Sequence, residues 1–172
     1  SFFKEALLSV SKDQTVKPAQ IVVVEDGPVP ADIEHSIEDT VKASPECEFT
    51  VVRKPENAGL DAALNTGLKA CKYEWVARMD SDDISLPDRF ESQLAYIENH
   101  PSVDVIGGSI AEFTNTPRDM QSERHVGLDM KAIRKMAKTR TPMNHVSVMF
   151  KKSVVEKAGN YCENFGKLED YK

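Results

Sequence analysis

The stretch Trp75-Val76-Ala77-Arg78-Met79-Asp80-Ser81-Asp82-Asp83-Ile84-Ser85-Leu86-Pro87 constrains what this chain can fold into more than any other. An apolar run that reads as a buried strand leads straight into three carboxylates within four residues, and a proline then opens the next element. In an extended backbone residues two apart point the same way, so Asp80 and Asp82 project together, about 7 Å apart at the backbone. Like charges so placed repel unless a cation sits between them or one binds a proton. Magnesium takes only one or two carboxylates from protein and fills its shell with water and substrate phosphates. Two readings follow: a metal-phosphate site at the end of a central strand, or a solvated acidic turn with Ser85 capping the next helix.

The 172 residues suffice for one domain with a sizeable core and are too few for two. Hydrophobic residues make up 40% and charged residues 29%, as in ordinary globular proteins. Twenty-two basic and 28 acidic residues leave a formal net charge of −6. An acidic chain without a basic stripe is a poor nucleic-acid binder, because Lys and Arg contacts to phosphate supply most of that affinity. Such a chain also needs a metal to hold a phosphorylated substrate beside its own carboxylates. Cys47, Cys71 and Cys162 are odd in number and form no CxxC pattern, so they read as reduced thiols in a cytoplasmic setting. No apolar run approaches the roughly 18–20 residues of a membrane span, and no signal peptide opens the chain. The first residue is Ser and lies at once in a helical pattern, which suggests a segment excised from a longer protein.

Residues 2–10 carry Phe3, Ala6, Leu7 and Val10 at helical spacing. The β-branched run 21–24 is too apolar for a half-exposed strand and predicts one buried on both faces, as in a parallel sheet. Glu25-Asp26-Gly27-Pro28 breaks it with turn chemistry. A helix follows over Ala31–Ala43, a strand over 49–52, and a helix opened by Asn57-Ala58-Gly59 and running to about Cys71. After the strand at 75–79, Ser85 and Asp88 predict a capping box for a helix that starts at Pro87 and stops at Asn99-His100-Pro101. Residues 103–106 and Ile110–Phe113 read as strands, and 114–127 as a polar, irregular loop. A basic helix at 128–138, a strand at 146–150 and a short helix at 153–158 complete the chain.

Strand and helix alternate from residue 21 to 106, which predicts an α/β layered domain with a largely parallel sheet. Ligands of such sheets bind outside the carboxyl ends of the strands. The two acidic turns, Glu25-Asp26-Gly27 and Asp80-Ser81-Asp82-Asp83, fall at that edge and line one crevice if their strands are neighbours.

Segments 17–27, Lys54-Pro55-Glu56-Asn57-Ala58-Gly59 on to Gly67, Ala77-Arg78-Met79-Asp80-Ser81-Asp82-Asp83, Pro87-Asp88-Arg89-Phe90, 103–108, 145–150 and Glu169-Asp170-Tyr171 resemble, in order and spacing, the family 2 glycosyltransferases. The likeness is nearest to the bacterial enzymes that build surface polysaccharides, and it covers nearly the whole chain. It implies a GT-A fold, a mostly parallel Rossmann-like sheet flanked by helices, in a single catalytic domain over residues 1–172 that is truncated at both ends. It implies transfer of a sugar, with inversion, from a nucleoside diphosphate donor to a hydroxyl of a saccharide or glycolipid acceptor. Uridine is the base by family precedent. The resemblance puts Asp82 on Mg²⁺ or Mn²⁺, Asp80 on the ribose and on the metal or its waters, and Asp26 on the nucleobase, with Asn57 lining that pocket. Asp170 matches the base that takes the acceptor's proton. The chemistry agrees: a carboxylate accepts from base and ribose donors, and a cation neutralises the departing diphosphate. A cytoplasmic location is implied, peripheral at the inner membrane face in the full-length protein.

The sequence departs from the family pattern at several points. The strand that normally precedes residue 1 and the downstream acceptor region are missing, Glu25 stands where Asp is common, and Leu64 stands where many members carry Arg. A segment lacking both walls is expected to be weakly active or inactive alone. Arg78 either faces the donor or pairs with a carboxylate. His145 either reaches the site edge or is structural, and Lys17, Lys54 and Arg89 read as solvated or structural. Alternatives from other classes are a receiver-like signalling module, since Val23-Val24-Glu25-Asp26 resembles a receiver's acidic pair, and a non-catalytic module that binds nucleotide sugars.

Overall fold

A computed structural model of the chain describes residues 2–162 apart from 115, 117 and 118. Strands β1 (Gln20–Glu25) and β2 (Glu48–Arg53) run parallel, with Ile21 opposite Phe49 and Val23 opposite Val51. Their alternation sends Ile21, Val23, Phe49 and Val51 to one face. There Leu7 of α1 (Phe2–Ser9), Ile33 and Ile37 of α2 (Ala31–Ala43) and Cys47 close the first core. Each fully buried aliphatic side chain contributes about 1.5–3 kcal/mol. Helix α3 (Leu60–Ala70) covers the other face so closely that a Cβ on Gly67 would lie 3.2 Å from a Val24 methyl. Strand β1 thus lies between two helical layers, as expected, but only Ile21 and Glu25 are buried and residues 22–24 are half-buried.

The second sheet holds β3 (Trp75–Ala77), β4 (Val105–Ile106) and β7 (Met149–Lys151) in the order β3-β7-β4. Leu68, Val148 and Phe150 form its core, with Val76, Met143 and Val155 packed against them. Strands β5 (Ile110–Phe113) and β6 (Met120–Arg124) make an antiparallel hairpin. Helices α4 (Arg89–Asn99), α5 (Met130–Met136) and α6 (Lys152–Lys157) complete the described elements, and none is long and apolar enough to cross a membrane.

The α/β class with its parallel β1–β2 pair is as expected, and β7 joins the second sheet antiparallel to both β3 and β4. Three expectations need correction. The first half of the strand expected at 146–150 is a 3-10 turn over His145–Ser147. Residues 120–124, read as loop, form β6: the hairpin is held by polar pairs, Ser122 and Arg124 donating to Glu112 at 2.5 and 2.7 Å, and hydrophobic alternation cannot signal such a strand. Helix α4 starts at Arg89 without a side-chain cap, because Ser85 is buried and bonded elsewhere.

Those bonds place the acidic turn. Gln14 is 1% exposed, and its Nε2 donates to the Ser9 carbonyl (2.6 Å), the Leu86 carbonyl (2.8 Å) and the Ser85 hydroxyl (3.2 Å). Its Oε1 accepts from the Phe90 amide (3.2 Å), while the Ser85 amide donates to the Ser9 hydroxyl (3.0 Å). One side chain therefore satisfies buried backbone groups from the end of α1 to the start of α4. Replacement by Leu leaves several of them unpaired, each at a cost of about 1–3 kcal/mol. We expect Gln14→Leu to destabilise the fold by about 2–4 kcal/mol in urea denaturation; a loss below about 0.5 kcal/mol refutes this role.

Candidate active site

The register of β1 and β2 sets Glu25 opposite Arg53, so the acidic pair Glu25-Asp26 leaves the sheet beside the basic pair Arg53-Lys54. Glu25 is buried and pairs with Arg53 Nε at 3.2 Å. Asp26 pairs with Lys54 Nζ at 2.5 Å, both side chains being less than one-fifth exposed. Asp26 also accepts from the amides of Ala58 (3.1 Å) and Gly59 (2.9 Å), and Asn57 Oδ1 accepts from Gly59 as well (3.1 Å). Burial pushes the Asp26 carboxyl up, but the Lys54 ammonium and the two amides outweigh it and hold it below its ordinary value. Gly27, at φ +100°, passes so close to this loop that a Cβ would stand 2.9 Å from the Asn57 nitrogen. The turn after β1 and the loop 54–59 after β2 are thus one knot, and the Asp80 turn is not part of it.

At the end of β3, Arg78 is 8% exposed; its amide donates to the Val148 carbonyl (2.9 Å) and its Nη2 pairs with Asp80 at 2.5 Å. The open alternative for Arg78 resolves as a carboxylate partner, although its buried Nε has no partner among the described residues. Asp82 is exposed, and no donor or cation among the described residues meets its carboxylate. Asp83 is the acid that sequence reasoning left out of the site. Burial pushes its carboxyl up, the charges of Asp80 and Asp82 push it further, and Arg78 eases it. Beneath the turn Arg89 donates to the carbonyls of Arg78 (2.9 Å) and Val148 (3.2 Å), lies 5.5 Å from the Phe90 ring centroid and meets no carboxylate among the described residues. Burial, and then Arg78, lower its pKa to about 10, so it stays charged at neutral pH.

Of the two readings for Lys54, solvated or structural, the structure gives the second, since its ammonium pairs with Asp26 in the knot. Lys17 fits a structural role, since its ammonium donates to the carbonyls of Lys12 and Gln14. His145 meets the Tyr161 hydroxyl at 3.1 Å and also lines the site cleft. That cleft, of about 480 Å³, is walled by Leu60, Arg78, Asp80, Arg124, Arg140 and His145 among others. Leu60, which follows Gly59 of the knot directly, and Asp80 both line this cleft, whereas Asp26, Asn57 and Asp82 are not among its lining residues. Asp170 and Glu169 lie outside the described residues.

A divalent cation fits this turn. Burial first, and the charges of Asp80 and Asp82 after it, raise the Asp83 carboxyl, and Arg78 compensates only in part. Among the described residues no group of three or more His, Cys, Asp or Glu is placed to cage a metal. Magnesium and ions like it need no such cage when a substrate brings phosphates, and Asp82 with Asp80 would supply the one or two carboxylates required.

Solved glycosyltransferases share this architecture. A Pyrobaculum calidifontis mannosyltransferase, in complex with GDP-Man and Mn2+, superposes with TM-score 0.70 at 19% identity over 98% of this chain and 46% of its own. S. aureus TarS, residues 1–349, superposes with TM-score 0.73 at 20% identity over 99% of this chain and 49% of its own. The fold is therefore GT-A. Residues 1–159 match the model of Glycosyl transferase family 2, and the chain belongs to that family.

Relatives in sequence include an uncharacterised glycosyltransferase of Haemophilus influenzae, 43% identical over 86% of this chain and 54% of its own length. The amylovoran biosynthesis glycosyltransferase AmsE of Erwinia amylovora is 36% identical over 97% of this chain and 60% of its own. A UDP-Gal:alpha-D-GlcNAc-diphosphoundecaprenol beta-1,3-galactosyltransferase of Escherichia coli is 34% identical over 99% and 60%. The chain thus spans little more than half the length of these relatives. The receiver-like alternative gains no support from any of them.

Because the Asp26 carboxyl titrates below its ordinary 3.8 in the fold, the stability it contributes is present above that value and is lost as pH falls through the lower, folded value. Asp26→Asn should cost about 1–3 kcal/mol near pH 7, where it leaves the Lys54 ammonium half-buried and unpaired. In urea titrations the deficit should shrink as pH is lowered below 3.8; a deficit independent of pH would show that the ion pair does not hold the knot.

Proposed function

We infer that this chain is the nucleotide-binding part of an inverting, metal-dependent glycosyltransferase that acts in surface-polysaccharide or glycolipid synthesis. The observation that carries the reading is the acidic turn Asp80-Ser81-Asp82-Asp83, only partly neutralised by Arg78, whose Asp80 lines a cleft that Leu60, next to the Asp26 knot, also lines. In this reading Asp82 and Asp80 hold Mg²⁺ or Mn²⁺, and Asp80 also meets the ribose. The cation, when bound, neutralises the charge that gathers on the diphosphate as it leaves. Arg78 holds Asp80 in place and shields it from Asp83. Asp26 and Asn57 stand on the nucleobase side. Asp170, by its match to the family, takes the acceptor's proton.

The donor is a nucleoside diphosphate sugar. The Escherichia coli relative is named for UDP-Gal, whereas the mannosyltransferase carries GDP-Man. The first shares 34% of its aligned residues with this chain and the second 19%, which favours uridine. The same relative's name makes its acceptor a saccharide on a polyprenyl diphosphate, so we take the acceptor to be lipid-linked and the enzyme to act at the cytoplasmic membrane face. Calorimetric titration with a panel of nucleoside diphosphates, with and without Mn²⁺, tests the site. We expect Mn²⁺-dependent binding of UDP that Asp82→Ala weakens by tenfold or more, about 1.4 kcal/mol, with no effect when Mn²⁺ is absent. Equal binding by both proteins in Mn²⁺ would refute the metal role of Asp82.

The same reading makes residues 1–172 one incomplete domain. Among the described residues β1 pairs only with β2, and β3 only with β7. Their free sides line an apolar trough of about 540 Å³ with Phe3, Leu7, Leu64 and Phe90. One more strand from a longer chain fits between two such edges. A transfer assay should therefore give a rate at least tenfold higher for the longer natural chain than for this segment, about 1.4 kcal/mol in barrier; equal rates would refute incompleteness.

A further inference from the structure

Charge is unevenly spread over this acidic chain. Between residues 128 and 140 stand Lys131, Arg134, Lys135, Lys138 and Arg140 against a single acid, Asp129, a local charge of +4 in a chain of −6. Asp129 is already committed, since its carboxylate caps α5 by accepting from the Ala132 amide at 2.7 Å. All five cations are exposed, and none pairs with a carboxylate among the described residues. Elsewhere the lysines and arginines often have acidic partners, as in Lys4–Asp39, Lys72–Glu48, Arg124–Glu112 and Lys151–Asp104. Beside the free cations two apolar side chains stand in solvent: Leu128 is 94% and Met130 60% exposed. Helix α5 buries no residue, while Ala132, Ile133 and Met136 form its less exposed side. Met136 and Arg140 also reach the rim of the cleft that Asp80 lines.

We propose that the exposed face of residues 128–138 is a docking surface for an anionic lipid membrane, with Lys131, Arg134, Lys135 and Lys138 over the headgroups and Leu128 and Met130 dipping into the interface. Charge complementarity and apolar tips side by side fit a lipid surface. A single-stranded nucleic acid fits less well, since such sites add stacking aromatics and residues 124–140 contain none beyond His125. Docking in this sense brings the Asp80 cleft to the membrane through its Met136 and Arg140 rim. The surface itself stands on charge and exposure; only its use, delivery of a lipid-linked acceptor, rests on the function inferred above.

The test is vesicle sedimentation of the purified protein with no nucleotide present. Phosphatidylglycerol-rich vesicles should bind the protein and pure phosphatidylcholine vesicles should not. Binding should collapse in about 0.5 M salt, where the screening length falls to about 4 Å. Each lysine near an anionic leaflet changes partitioning by about fivefold, so Lys131→Gln with Lys135→Gln and Lys138→Gln should weaken it about a hundredfold. Leu128→Ser should weaken it separately, and both variants should keep the wild-type melting curve and UDP titration. Equal binding to neutral and anionic vesicles, undiminished binding by the triple variant, or tighter binding to single-stranded RNA would each overturn the proposal. Vesicle binding without any Mn²⁺-dependent binding of nucleotide would leave this surface standing and remove the transferase reading instead.

Discussion

The carboxylate of Asp26 is the constraint on which the site depends. Two parallel strands that end side by side leave unpaired backbone groups and diverging chains, and nothing in the ladder itself fixes where the chains go next. Asp26 fixes it by binding Lys54, Ala58 and Gly59 together, which sets the path of the loop into α3 and with it Leu60 at the cleft. Charge-assisted bonds of this kind are roughly twice as strong as neutral ones, and the Asp26 and Lys54 side chains are each less than one-fifth exposed. The arrangement also limits chemistry. A carboxylate offers about four acceptor directions, and three are taken. The nucleobase contact proposed for Asp26 must use the remaining direction or displace Lys54, so the residue serves the free protein as scaffold before it serves any ligand.

The acidic turn poses the opposite problem, charge gathered without enough partners. Arg78 satisfies Asp80, and Arg89 beneath it adds positive potential while spending its own hydrogen bonds on the carbonyls of Arg78 and Val148. Both guanidiniums are tied to the sheet, so they cannot follow the carboxylates outward, and Asp83 is left under the repulsion of Asp80 and Asp82. In the proposed function a divalent cation would relieve that charge, where a third arginine would fill the space a diphosphate needs. Gln14 and Ser9 keep the turn from relaxing by moving away, because they hold Ser85, Leu86 and Phe90 through buried bonds. Like-charge repulsion is therefore stored in a rigid frame.

Much of this was legible in the sequence, for identifiable reasons. Helix α2 matches its expected bounds because Ile33 and Ile37 mark one face, and β5 likewise; α1, α3 and α4 differ by a few residues at their ends. The acidic turns were legible because carboxylates at the ends of apolar runs are conspicuous. The partner of Lys54 was not legible because it is 28 residues away, and only the parallel register, Glu25 opposite Arg53, reveals that acid-acid meets base-base. Strand β6 was hidden because it buries nothing: its five residues are all exposed and its order comes from cross-strand polar pairs. The antiparallel course of β7 was beyond reach for another reason. A strand's direction depends on how the chain returns to the sheet, and the long excursion through the hairpin and α5 leaves no periodic trace of it.

The two cavities differ in a way that assigns their roles. The larger one, at about 540 Å³, is walled by aliphatic and aromatic side chains and by the unpaired edges of β1 and β3. Size and apolarity usually recommend a cavity as the ligand site. Here the walls argue otherwise, since exposed strand edges demand main-chain donors and acceptors at regular spacing, which only another strand supplies at every rung. The smaller cleft, of about 480 Å³, carries Asp80, Arg78, Arg124, Arg140 and two histidines, groups that recognise a charged and hydroxylated small molecule rather than protein backbone. Both cavities share Leu60, Arg78 and Asp80, so filling the first with protein stiffens a wall of the second. Completion of the sheet and binding at the acidic turn are on this account coupled through Arg78, whose backbone belongs to one cavity's frame and whose guanidinium steadies the carboxylate of the other.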